Sequence, residues 1–358
     1  MRISWQGYLG TNHSWSLVAQ NICRALKKLG HKVEMISTNG MEHYPDDLKE
    51  NLSTLDGIFD MQISYTALRN FQQYLSRGNK NRFGIWNYES TILPVGMAKN
   101  YHYADQMLPS SNFSKQIFLD AHIPETHMTV VPHGVDAEKF ATAKPYPLKT
   151  RKTYKIFANI AQPHLRKYLD GLLVAYGKAF TKSDDVCLVL KIVDKKPEQP
   201  FDVSFQDIYS GFKNKYKNHS EIEIVDTFIP DIETLYAACN VVFTMSKAEC
   251  FWLPGLESFA AGKITIAPRY GGQLDYMNDE NSLLIDGKIV RADIRMQYWT
   301  GSPYASVFEP STDHAATLLR HAVDNYDTLL TKFSPNMQTK VKELSWTNVA
   351  KQIVSLAK

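Results

Sequence analysis

The sequence predicts an α/β protein of two domains, on three observations. Strand-like and helix-like segments alternate from the first residues onward. The alternation stops at a segment rich in proline and lysine, 141–151, and restarts with a strand at Tyr154. A strand, a loop, a short helix and another strand then follow in order over 241–267, as parallel-sheet winding requires. At 358 residues, 44% hydrophobic and 22% charged, the chain is long enough to build two domains with cores of their own.

Composition removes several function classes. A formal charge of +3 with no block of like charge gives no reason to expect nucleic acid as a partner. Cys23, Cys187, Cys239 and Cys250 are scattered without C-x-x-C spacing and are expected to be reduced thiols, not a zinc site or a disulfide framework. The N-terminus enters a strand directly, and no apolar run approaches 18 residues. The expectation is a soluble, cytoplasmic protein, or at most one bound peripherally at a membrane surface.

In the first domain, 2–5 opens as a strand, 6–13 is a loop carrying Gly7 and Gly10, and Ser14 is placed to cap a helix ending at Leu29. Leu17, Val18, Ile22, Ala25, Leu26 and Leu29 recur with helical period, Gly30 closes the helix, and 32–37 is the next strand. The result is a βαβ unit with a glycine loop at its first turn, although G-x-x-G is not the full dinucleotide fingerprint. Further strands are expected at 57–65, 83–86, 106–110 and 128–136. In the second domain, strands are expected at 154–159, 187–193, 222–225 and 241–245, with helices at 170–180, 201–216 and 232–239. The aromatic and small residues of 298–310 fit no element, and a last helix is expected near 344–350.

The stretch AECFWLPGLESFAAG, 248–262, carries two acids eight positions apart, Glu249 and Glu257. Pro254 suits a first helical position and Gly262 a C-terminal cap, which predicts Glu257 in the first turn. Unpaired N–H groups and the positive end of the helix dipole converge there and favour an anionic ligand such as a phosphate. Glu249 falls at the C-terminal end of the preceding strand, where open α/β sheets hold ligands. A carboxylate accepts two hydrogen bonds and can grip a vicinal diol of ribose or of a sugar ring. Taken alone, the two residues also read as a favourable helix-start acid and a solvated loop residue.

Glu249, Phe251, Leu253, Pro254, Leu256 and Glu257 resemble the E-x7-E signature of the group 1 glycosyltransferases, retaining enzymes of the GT-B fold. Cys250 and Trp252 stand where that family commonly has glycines. The segment 128–136 resembles the family's V-x-P-N-G-V-D, and PRYGGQLDYM, 268–277, resembles a glycine loop near the donor. The resemblance implies two Rossmann-like, doubly wound domains facing an interdomain cleft. Residues 1–143 would bind the acceptor and 144–334 the nucleotide sugar, with a terminal helix, about 335–358, crossing back onto the first domain.

The resemblance also assigns roles. Glu257 would hold the ribose, and Glu249 the sugar ring with Phe251, Trp252, Leu253 and the neighbouring backbone. Gly10 and Gly272 would lie close to the donor. Lys167 matches the family's lysine, Ala161 occupies the usual place of its arginine, and Arg166 is the candidate to supply that second charge to a departing diphosphate. Glu89, Asn12 and His13 would lie on the acceptor side.

The implied function is a retaining glycosyltransferase, a hexosyltransferase, using a UDP- or GDP-linked donor and a glycan, lipid or small-molecule acceptor. No D-x-D motif occurs, and fixed cations with a helix terminus can neutralise a leaving group, so neither a metal nor another cofactor is expected. A non-catalytic sugar-nucleotide binding protein and a GT-B phosphorylase or epimerase remain as alternatives. A dehydrogenase is disfavoured by the incomplete glycine fingerprint.

Overall fold

The computed structural model describes residues 1–10, 14–38, 44–54, 56–75, 78–193 and 197–358; Asn12 and His13 lie outside them. The chain forms two compact units, Met1–Gly134 with Glu343–Lys358, and Val135–Lys342.

In the first unit the strands are β1 (Arg2–Gly7), β2 (Lys32–Ser37), β3 (Met61–Tyr65), β4 (Arg82–Ile85) and β5 (Gln106–Met107), and the sheet order is β2-β1-β3-β4-β5, parallel throughout. Burial on both faces suits its apolar strands: Ile3, Trp5, Met61, Ile63 and Tyr65 are all inaccessible to solvent. The helices are α1 (Ser14–Lys28), α2 (Asp46–Lys49), α3 (Phe71–Tyr74) and α4 (Asn112–Asp120). Ser14 is thus inside α1, one step beyond the capping place expected for it. The segment 128–136 forms no ladder; it is tied to β5 through Thr129 and Val131, whose N–H groups donate to Met107 and Pro109. Pro109 and Pro132 have no N–H to contribute, which explains why pairing stops at these bonds.

The second unit contains α5 (Ala137–Ala141), β6 (Tyr154–Ala161), α6 (Leu169–Ala179), β7 (Val186–Ile192), α7 (Phe205–Lys215), β8 (Glu221–Val225), α8 (Glu233–Ala238), β9 (Val241–Phe243), α9 (Leu253–Ala260), β10 (Ile264–Pro268) and β11 (Leu283–Ile285). Its parallel sheet runs β11-β10-β9-β6-β7-β8. Winding goes outward from β6 on one side and from β9 on the other, so β6 and β9, adjacent in space, form the topological switch point.

The unassigned 298–310 region belongs to a separate structure. β12 (Gly287–Arg291) pairs antiparallel with β13 (Ser306–Pro310), and α10 (Ile294–Thr300) lies between them. A small core of Ala292, Met296, Ala305 and Val307 supports this segment, an insertion only in the sense that it stands between β11 and the helix at Thr312–Asp324. The chain continues through α11 (Thr312–Asp324), packed on α6, then α12 (Tyr326–Glu343) and α13 (Trp346–Ser355). No helix among the described residues is long and apolar enough to cross a membrane.

α13 completes the first unit. Ser345 caps it by accepting from the Asn348 N–H at 3.2 Å, its apolar face packs on α1, and Gln352 donates to the Val130 carbonyl at 2.8 Å. Gly134 makes this docking sterically feasible: a Cβ there would stand 2.6 Å from the Trp346 backbone nitrogen and 2.8 Å from its Cα. Gly134→Ala is therefore expected to lower stability by about 1–3 kcal/mol, through the overpacking of backbone that has no rotamer to yield. Calorimetric melting of the full chain checks this, and an unchanged transition would contradict the contact.

Candidate functional site

The loops leaving β6 and β9 meet at the switch point, and their backbone is unusually constrained. Five non-glycine residues among those described have left-handed φ: Asn81, His122, Ala161, Tyr168 and Trp252. Three of them flank this one place, Ala161 and Tyr168 around the β6 loop and Trp252 at the entry to α9. A bulky residue held there costs about 1–3 kcal/mol and needs surrounding contacts to persist. Those contacts are present: the Tyr276 hydroxyl donates to the Trp252 carbonyl at 2.7 Å, and the Lys247 ammonium lies 4.0 Å above the Tyr168 ring.

Between Ala161 and Tyr168 the chain makes a tight turn, Leu165–Lys167, opened by His164, whose Nδ1 accepts from the Arg166 N–H at 2.8 Å. The Arg166 carbonyl in turn accepts from the Lys247 N–H at 2.7 Å, joining this turn to the β9 loop. Two adjacent cations thereby face one acid. Lys167 Nζ is 2.7 Å and Arg166 Nη1 2.9 Å from the same oxygen, Glu249 Oε1, and Arg166 Nη1 also donates to the Ala248 carbonyl at 2.8 Å.

Glu249 is only 6% exposed. Burial alone would push its carboxyl up, but the charges of Arg166 and Lys167 outweigh that and bring it down to about 2. The acid is fixed from behind as well. Its carbonyl accepts from the Gly272 N–H at 2.8 Å, and Gly271, at φ +100°, lies so close that a Cβ would be 2.7 Å from that oxygen.

Glu257 is in a different setting. α9 begins at Leu253, not at Pro254, so Glu257 lies in the second turn and not in the first, where the sequence reading placed it. Its Oε2 accepts from the Tyr236 hydroxyl of α8 at 2.6 Å. Burial raises its carboxyl to about 7; the Tyr236 hydrogen bond and Lys139 pull the other way, and the Glu233 carboxylate adds to the rise. Lys139 itself pairs with Glu233 at 3.1 Å. Between about 4.5 and 7 the folded chain therefore holds more protons at Glu257 than the unfolded chain, and this residue's effect is to lower stability as pH rises through that window.

The aromatic neighbours are structural from the side-chain side. Phe251 is buried against Tyr276, Trp252 is buried, and Leu253 is the first, half-buried residue of α9. What this turn can present to a ligand is its backbone. Gly272 N–H is committed to Glu249, as described above.

Gly10 and Glu89 lie in the first unit, buried and half-buried respectively. Beside Glu89 the structure shows a polar cluster the sequence did not single out: Asn87 Nδ2 contacts both the Tyr65 hydroxyl and, at 2.8 Å, His133 Nε2. Burial drives the His133 imidazole down to about 3, so it is neutral.

One group of ligand-type side chains among the described residues has atoms close enough to share an ion: Cys187, Glu221 and Glu223, within 4.8 Å. Cys187 and Glu221 sit at the N-terminal ends of β7 and β8, the opposite end of the sheet from the switch-point loops, and Glu223 at the middle of β8. There the Glu223 carboxylate accepts the Lys149 and Thr150 N–H groups at 2.9 and 2.8 Å, which makes it a clamp on the preceding segment.

No family model matches the chain. No curated protein sequence matches it either. Solved structures do. HepE of Anabaena in complex with UDP is similar over 99% of both chains, with a TM-score of 0.68 at 14% identity. A glycosyltransferase from Rickettsia africae is similar over 100% of this chain and 98% of its own, with a TM-score of 0.70 at 16% identity. Sucrose-phosphate synthase from Thermosynechococcus elongatus is similar over 99% and 98%, with a TM-score of 0.70 at 14% identity. With two parallel-sheet α/β units and this likeness along its whole length, the chain has the GT-B fold of these glycosyltransferases.

Proposed function

We propose that the protein is a retaining glycosyltransferase that moves a hexosyl group from a UDP- or GDP-linked donor to an acceptor hydroxyl without a metal ion. The observation that carries this reading is the grip of Lys167 and Arg166 on one oxygen of Glu249 at the switch point of the second unit. HepE, a similar structure, is solved with UDP and with UDP-glucose, which supports a uridine donor.

When the bond between the anomeric carbon and the diphosphate breaks, negative charge grows on the departing oxygens. An ammonium carries three N–H donors and a guanidinium five, so both can turn to a diphosphate while Glu249 keeps them in register. They act as fixed charges that need little reorganisation at the moment of cleavage. Glu249, ionised down to about pH 2, is suited to accepting sugar hydroxyls and not to donating a proton. Glu257, with Tyr236 on one oxygen, has its other oxygen for a ribose diol. Phe251, Trp252, Leu253, Gly272 and Gly10 are assigned to the donor, through backbone approach, and Glu89, Asn12 and His13 to the acceptor.

The deciding experiment is a thermal-shift panel of nucleotide sugars on the full chain, followed by an assay of UDP or GDP release with candidate acceptors in EDTA. A donor at 100 times its Kd should add about 2.7 kcal/mol of stability. Release that survives chelation supports the reading. Binding without release, or release restored only by magnesium or manganese, refutes respectively its catalytic and its metal-free part.

Lys167→Ala should lower turnover by about a hundredfold. Since Arg166 still neutralises the buried Glu249, the stability loss should stay near 1 kcal/mol, below the cost of leaving a buried charge unpaired. Kinetics and melting of the variant check both, and near-wild-type turnover would remove this turn from the active site.

Glu257 offers a pH signature. UDP-glucose does not itself titrate near neutrality, and the ionised carboxylate is the better diol acceptor, so wild-type affinity should rise as pH goes from about 6 to 8. In Glu257→Gln the affinity should be weaker and flat across the same range. Calorimetric titration at several pH values measures it, and a slope that persists in the variant would assign the dependence to another group.

A further inference from the structure

The insertion β12-α10-β13 is built onto the cation turn. Leu165, the first residue of that turn, packs into the insertion's own core with Val290 and Trp299. The backbone N–H of Phe308 on β13 donates to the Lys247 carbonyl at 3.0 Å, while the N–H of Lys247 donates to Arg166. The Phe308 ring stacks on Tyr270, one residue before Gly271, with 5.2 Å between centroids and 7° between planes. Lys247 is also 3.8 Å from Glu309 of the same strand.

Trp299, at the end of α10, makes the contact closest to the chemistry. The Arg166 guanidinium carbon lies 5.6 Å from its ring centroid, within the range of cation–π attraction. The same ring meets His164 edge to face at 5.4 Å and 78°, and His164 is also stacked against Phe201 at 4.8 Å. Among the described residues, Arg166 is held through its N–H by His164, through its Nη1 by Ala248 and Glu249, and on its guanidinium face by Trp299. An arginine side chain has many rotamers, and the Nη1 and guanidinium contacts remove part of that freedom before a ligand arrives, while the His164 bond fixes the backbone beneath it. Trp299 is half-buried, so the contact is partly desolvated and stronger than one at an open surface.

We propose that Trp299 is a positioning residue, supplied by the insertion, that sets Arg166 for the donor diphosphate. The proposal rests on the nucleotide-sugar reading of the site. It makes the insertion part of the donor-binding apparatus.

The test is calorimetric titration of the full chain with UDP, and with GDP if UDP does not bind, across a double-mutant cycle. Trp299→Leu keeps apolar volume for the insertion's core but removes the π face; Trp299→Phe keeps a π face; Trp299→Ala removes both. Trp299→Leu should weaken binding by about tenfold in the wild-type background and by less than about twofold in Arg166→Ala, because its effect passes through that residue. Trp299→Phe should stay within about threefold of wild type. Should Trp299→Ala fail to fold, the Leu and Phe variants carry the comparison alone. Equal losses in both backgrounds, or Trp299→Leu binding as wild type does, would overturn the positioning role. Failure of the wild-type chain to bind either nucleotide overturns the nucleotide reading, and this proposal with it, and is seen before any variant is made.

Discussion

A buried carboxylate must be neutralised where it stands, and at the switch point of the second unit that requirement orders everything around it. Glu249 is withdrawn from water, and two adjacent cations from a loop much earlier in the chain, Lys167 at 82 positions' distance, converge on one of its oxygens. Ion pairs of this kind contribute little net stability, because desolvation offsets the attraction. What they do contribute is position. The β6 loop and the β9 loop are drawn together by charge, then locked by the Lys247–Arg166 backbone bond and by left-handed Ala161, Tyr168 and Trp252. Strain of that sort is tolerated where the surroundings over-determine it, and here they do.

The two acids of one fifteen-residue stretch end up with opposite titration behaviour. Cations hold Glu249 ionised down to about 2, while burial beside Tyr236 and near Glu233 lifts Glu257 to about 7. Sites that divide labour between carboxyl groups do so by placing like residues in unlike environments. Neither environment is local in sequence, since Lys167, Tyr236, Glu233 and Lys139 all come from other elements.

That non-locality sets how much could be read from sequence. Alternating strands and helices were legible because fully buried parallel strands are nearly continuous apolar runs, as in β7 and β9. The family resemblance singled out Glu249, Glu257 and Lys167 as candidates, but the contacts that surround them were not readable, because no spacing rule connects Lys167 with Glu249 82 positions on. The start of α9 was misjudged by one residue, since Pro254 is tolerated at the second helical position as at the first, and that shift moved Glu257 out of the first turn. The insertion was invisible for a different reason. β12 and β13 are a short two-stranded pair with half-exposed faces, and Ile289, Ile294, Tyr298 and Tyr304 remain solvent-facing, so no amphipathic period marks the segment.

The division of the chain into units has a consequence for biosynthesis. The first unit needs Glu343–Lys358, which includes α13 against α1, yet these residues leave the ribosome only after all of Val135–Lys342. Vectorial synthesis usually lets an N-terminal domain close before its successor appears. Here the order is inverted: the second unit emerges whole and is free to fold, while the first waits with the surface for its last helix uncovered. During translation the flank of α1 that α13 later covers is the surface exposed to aggregation of the nascent chain.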